Sequence, residues 1–207
     1  MTAVTILDHA AVFVFALTGA LTASRAQLDM VGFAFLATVT ALGGGTLRDL
    51  LLDRTVLWID SPSYLGLAGL AAVVVFFTAH LLESRLSALY WLDAAALATA
   101  VAAGTGVALE DGQSWPIVLV MGVATGTFGG LLRDVVANEV PLVLRQGQIY
   151  ATAALAGAAA AALANGLGVS PPTALGAGAL VTFALRAGSL AMNWRLPVYR
   201  SRPPRER

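Results

Sequence analysis

Apolar blocks of about 20 residues, the length that crosses a hydrocarbon core of about 30 Å, recur along the whole chain and constrain it more than any other feature. They read as seven spans, over 7–24, 29–52, 64–82, 91–109, 115–137, 149–163 and 173–192. Only 12% of residues are charged and the mean hydropathy is +0.79, where a soluble domain carries about 25% charged residues. An all-α integral membrane protein follows, with no soluble domain. The first block lacks a basic leader and a cleavage site, so it is expected to be retained as a span. With no cysteine, disulfides, thiolate metal sites and thiol redox motifs are excluded.

The second block is interrupted by Gly43-Gly44-Gly45, followed at once by Thr46-Leu47-Arg48-Asp49. The fifth carries a counterpart, Phe128-Gly129-Gly130-Leu131-Leu132-Arg133-Asp134, at an offset of 133 − 48 = 85. The apolar run 29–42 would reach about 21 Å as a helix, short of a crossing. Spans 2 and 5 are therefore expected to break at these glycines, with the freed backbone groups meeting protein or water. Close helix packing is the other use of such glycines, and it suits Gly122, Gly126 and Gly130, and Gly66 with Gly69. Asp49 and Asp134 would favour the positive start of each second half-helix. Adjacent helical residues do not face each other, so Arg48 is expected to pair with Asp134, and Arg133 with Asp49, or each Arg with carbonyls of the opposite break.

The same offset aligns Leu7-Asp8 with Leu92-Asp93, Gly19 with Gly104, and Thr40 with Thr125, without a gap. This predicts a duplication: repeat 1 over 1–86, repeat 2 over 87–168, a seventh span over 169–194 and a basic tail over 195–207. Three crossings per repeat place the second upside down, the inverted plan of many transport proteins. All 12 basic residues are arginine. Arg25, Arg85, Arg133, Arg145 and the tail arginines fall on one side, which the positive-inside rule makes cytoplasmic, with the N-terminus outside. Arg186 is expected to snorkel to that interface. The tail is expected to be solvated, mobile and attracted to anionic lipid.

Asp8 and Asp93 begin spans 1 and 4, either as helix caps or as carboxylates at the two mouths of one pathway. Thr18, Thr22, Thr40 and Thr125 offer oxygens, although membrane threonines commonly bond back to their own helix. His9 and His80 are the only histidines, so no metal cluster is evident. Nucleophile, phosphate-loop and dinucleotide motifs are absent from the sequence, which argues against an enzyme, and no basic face suits nucleic acid.

The residues Leu7-Asp8, Thr18-Gly19-Ala20, Ala37 to Asp49, Phe128 to Asp134 and Val140-Pro141-Leu142-Val143 resemble the bacterial relatives of the trimeric intracellular cation (TRIC) channels, a family also labelled a glycine transporter domain. The resemblance spans about residues 5–195. It implies seven spans as two inverted three-helix repeats plus one, a homotrimer, a pore in each protomer, and potassium and sodium passing the glycines of spans 2 and 5. The lysine-bearing lipid motif of animal members has no counterpart, since the chain lacks lysine. The expected function is a monovalent cation channel in the inner membrane. Gly43, Gly44, Gly45, Gly129 and Gly130 would form the kinks, Arg48, Asp49, Arg133 and Asp134 the polar network, and Asp8 and Asp93 the mouths. No cofactor is expected beyond the permeant ion and a bound lipid, and no protein partner beyond further copies of the chain. A carrier of a small zwitterion such as glycine, and a membrane scaffold, are the alternatives.

Overall fold

The computed structural model describes residues 2–82 and 84–198. Eight α-helices form them: α1 (Ala3–Arg25), α2 (Met30–Leu51), a single-turn α3 (Leu57–Asp60), α4 (Ser63–Thr78, extended by a 3-10 turn to Leu81), α5 (Arg85–Glu110), α6 (Trp115–Val136), α7 (Ala151–Gly166) and α8 (Pro171–Ala191). A second 3-10 turn covers Leu142–Leu144. Side chains of Thr2, Asp29 and Ser84 accept from the first-turn amides of α1, α2 and α5, satisfying donors the helix leaves free. Prolines open α6 and α8, where no amide donor is needed. The left-handed residues that close the helices repeat in the 85 register: Gln27 with Gly112, and Asp53 with Asn138.

Six helical segments are long and apolar enough to cross a membrane, whereas α7, at 16 residues, spans about 24 Å. Antiparallel α1 and α5 form the centre: Val4 meets Gly106 at one end, and Arg85 donates to the Ser24 carbonyl at the other. Helices α2 and α4 pack on α1, while α6, α7 and α8 pack on α5. The N-terminal face also holds the Arg54–Asp111 ion pair, and the opposite face holds Arg25–Glu139. Thus α2 ends on the N-terminal face and α6 on the opposite one.

The expected breaks in spans 2 and 5 are corrected. Both α2 and α6 run unbroken for 22 residues, about 33 Å, so each crosses in one piece. A glycine inside a helix costs only about 1 kcal/mol relative to alanine, and here close packing offsets that cost. A Cβ on Gly44 would overlap the Thr125 carbonyl oxygen, and one on Gly129 the Thr40 carbonyl oxygen. These glycines let two helices touch backbone to backbone, the use of small residues common in membranes. Gly122 and Gly126 likewise pack, against Thr105 and Val101. Gly66 and Gly69 do not: a Cβ on either would meet nothing within 4 Å among the described residues.

Helix α8 is held to α7 by the same device. Gly157 on α7 faces Thr182 and the Gly178 carbonyl on α8, with no room for a Cβ, whereas Gly176 faces open space. Gly157→Ala is expected to lower stability by about 1–3 kcal/mol through overpacking, and Gly176→Ala to raise it by up to about 1 kcal/mol through helix propensity, in thermal unfolding of the detergent-solubilised protein. The tail also starts differently from expectation. Gln148 bridges to Arg195, and the Leu196 amide donates to Gly147 at 2.8 Å, so residues 195–196 pair with the 147–148 loop. Residues 199–207, with four of the tail arginines, lie outside the described residues.

Candidate functional site

Arg48 lies near the end of α2, where the helix dipole favours a cation. Its Nε donates to Asp49 Oδ1 at 2.8 Å and its Nη1 to Asp8 Oδ1 at 2.8 Å. The other Asp49 oxygen accepts the Leu57 amide at 2.8 Å, fixing the loop that follows α2. The second half repeats this arrangement bond for bond. Arg133 Nε donates to Asp134 Oδ1 and Arg133 Nη1 to Asp93 Oδ1, each at 2.8 Å. Asp134 Oδ2 accepts the Leu142 amide at 2.8 Å. One bond is unshared: Arg133 Nη1 also donates to Thr18 Oγ1 at 3.0 Å, while the corresponding position in the other half is Ala103.

The expected pairing across the halves is therefore corrected: each Arg pairs within its own half. Arg48 and Arg133 sit toward opposite faces, because α2 and α6 end there, and the crossing of these helices lies between them. The argument that adjacent residues cannot pair also fails here. Leu57 and Leu142 hold one oxygen of each Asp, which turns the other back to the guanidinium of the preceding Arg. Asp8 and Asp93 are not free carboxylates at two mouths. Asp93 is fully buried against Arg133, and Asp8 is 8% exposed beside Arg48.

Between the clusters lies a layer of small residues. Gly19 packs on Thr40 and the Leu36 carbonyl, and Gly104 on Thr125 and the Met121 carbonyl. Thr18, Thr22, Thr40 and Thr125 donate back to Phe15, Thr18, Leu36 and Met121 carbonyls, so their protons are committed. This layer and the Gly44–Thr125 and Gly129–Thr40 contacts pack the helices closely between the two clusters.

Access to the two clusters is unequal. A vestibule of about 480 Å³ opens on the N-terminal face and reaches Asp8, His9, Arg48, Asp49 and Tyr64. Beneath it a void of about 10 Å³ touches Asp8, Gly44, Gly45 and Thr125, the threshold size for one water. The second cluster is sealed, with the Arg133 and Asp93 side chains at zero exposure.

One functional candidate is misplaced by the snorkelling expectation. Arg186 of α8 is fully buried, its guanidinium 5.0 Å from the Tyr150 ring centroid. Gly178, Thr182 and Arg186 are spaced by four and lie on one helix face. The small pair marks that face as the packed one, which was the available sign that Arg186 turns inward.

Duplicated buried charged clusters in a bundle of helices long and apolar enough to span a bilayer place the chain among multi-pass membrane proteins. The profile of the family described as Glycine transporter matches twice, over residues 5–80 and 90–165, again 85 apart. A membrane protein of Vibrio cholerae is 38% identical over 94% of this chain and 82% of its own length, and the Escherichia coli inner membrane protein YadS is 36% identical over 93% and 94%. The TRIC trimeric intracellular cation channel orthologue from Rhodobacter sphaeroides has 44% identity and a TM-score of 0.90, covering 93% of this chain and 100% of that one. A prokaryotic TRIC channel solved in 0.5 M KCl has 28% identity and a TM-score of 0.86, covering 92% and 96%. The chain belongs to the TRIC channel family.

Proposed function

We propose that the protein is a monovalent cation channel, passing potassium and also sodium along a pathway inside each protomer. The observation that carries this reading is the duplicated Asp–Arg–Asp cluster at the end of α2 and of α6, with the first cluster at the floor of a vestibule. Asp8 and Asp49 against Arg48 leave one formal negative charge there, which concentrates cations at the entrance. The gate is the layer where Gly44 meets Thr125 and Gly129 meets Thr40; opening requires α2 and α6 to separate so that water enters.

The same reading takes α7 as a seventh crossing, 1–86 and 87–168 as inverted repeats, and three protomers as the assembly. The doubled family match, the antiparallel α1 and α5, and the trimeric relative support it. The arginine distribution favours an outer N-terminus. A glycine carrier loses its proposed carboxylate site, because unbroken α2 and α6 present no half-helix N-terminus at the crossing. Purified protein in planar bilayers tests the reading. Discrete currents in potassium chloride, reversing at the potassium equilibrium potential in a gradient, are the expected result. Saturable glycine uptake without currents would instead identify a carrier.

A further inference from the structure

The sealed cluster contains more charge than its bonds explain. Arg133 and Asp93 share one bond, but Arg133 Nη2 and Asp93 Oδ2 have no partner among the described residues. The Tyr150 hydroxyl has none, nor do Nε, Nη1 and Nη2 of Arg186. These groups converge. A point at the Cβ position of Gly130 would lie 3.0 Å from the Tyr150 oxygen, 3.5 Å from Asp93 Oδ1 and 3.7 Å from Arg133 Nη2. Arg186 stacks on the same Tyr150, its guanidinium 5.0 Å from the ring centroid.

A buried guanidinium without a hydrogen-bonding partner is costly, and a cation–π contact recovers only part of that cost. The same corner holds the complementary vacancies: Asp93 Oδ2 lacks a donor while Arg186 lacks an acceptor. Charge counting gives the consequence. Asp93 and Asp134 against Arg133 and Arg186 sum to zero, whereas Asp8 and Asp49 against Arg48 leave one negative charge. The two halves otherwise match in charge, and in every bond but the neutral one to Thr18, so α8, the helix outside the repeat, supplies the difference.

We infer that Arg186 is a tethered cation that closes the second half of the pathway, supplying to Asp93 and Asp134 the positive charge they would otherwise draw from a permeant ion. This rests on the pathway reading above. A free cation competes with Arg186 for the vacant Asp93 oxygen, so conduction requires the guanidinium to withdraw. Arg133 stays bonded to Asp134 throughout.

The test compares wild type, Arg186→Met and Arg186→Lys in planar bilayers with symmetrical potassium chloride. Removing the charge is expected to raise potassium current about tenfold, in the range by which focused charge alters local ion concentration, while Arg186→Lys stays near wild type. Conducting wild type with an unchanged Arg186→Met would overturn the inference, as would an equal rise in Arg186→Lys. If Arg186→Met does not fold, Arg186→His replaces it. Its current should rise, relative to wild type, as pH rises and the histidine loses its charge, a change whose unperturbed midpoint of about 6.5 is moved by burial and by Asp93; a ratio flat across the accessible pH range refutes the idea. If wild type carries no current, the channel reading fails and accessibility decides. The chain has no cysteine, so Thr18→Cys, at the buried contact with Arg133, reports alone. A cationic thiol reagent should label it about tenfold faster in the Arg186→Met background, and equal rates would again overturn the inference.

Discussion

Arg133→Met is expected to destabilise the protein by about 3–5 kcal/mol, the cost of removing one partner from a buried ion pair. The change strands Asp93 and Asp134, both buried with Arg133, with the Asp93 and Arg133 side chains at zero exposure. Against a total stability of about 5–15 kcal/mol for a folded domain, that is enough to reduce the folded fraction severely. The matched change Arg48→Met removes the equivalent bonds to two aspartates, without the Thr18 bond, but leaves Asp8 at the floor of the vestibule, where water can solvate it. It should cost roughly half as much, since the penalty for a lone charge falls as solvent reaches it. Denaturant titration in detergent measures both. Equal losses would mean that vestibule water does not reach the first cluster. The double variant Arg133→Met with Asp93→Asn should cost less than the sum of the two single changes, because neutralising Asp93 removes one stranded charge.

Much of this architecture is legible in the residues. Span lengths follow from apolar blocks, and the register of 85 follows from charged and glycine matches that alanine-rich segments do not produce by chance. Even the helix-closing residues obey it, as Asp53 and Asn138 show. What escaped was decided by tertiary neighbours. The duplicated Asp8 and Asp93 stand 40 residues before Arg48 and Arg133 in both halves, a repeated acid–base pair that pointed to pairing within each half. Local helix geometry, applied to Arg48 and Asp49 alone, pointed the wrong way because it left out the Leu57 amide that turns the Asp. Arg186 was read from its depth along the span, although its helix face decides its burial.

The glycine triplet provides the sharpest test of what these residues do. If flexibility were their role, replacing Gly43, Gly44 or Gly45 with alanine would have similar effects, since each change stiffens the same backbone. Packing predicts unequal effects. A Cβ at Gly44 overlaps a backbone carbonyl of the opposite helix, which moves only if α2 and α6 separate. At Gly43 the nearest obstacle is the Leu132 side-chain tip, 2.6 Å away, and at Gly45 the Leu57 tip, 2.9 Å away; both can change rotamer. Gly44→Ala and its counterpart Gly129→Ala should therefore each cost about 3 kcal/mol, the upper part of the overpacking range. Gly43→Ala should be close to neutral, because the helix propensity gained, about 1 kcal/mol, offsets the displacement of one leucine. On the proposed gate, in which α2 and α6 part to open the pathway, a Gly44→Ala protein that still folds should also be displaced toward the open state, with a higher open probability than Gly43→Ala. Thermal unfolding and single-channel recording on the same preparations would separate the two accounts: equal losses at positions 43 and 44 favour a hinge, and a loss confined to 44 and 129 favours the packed crossing.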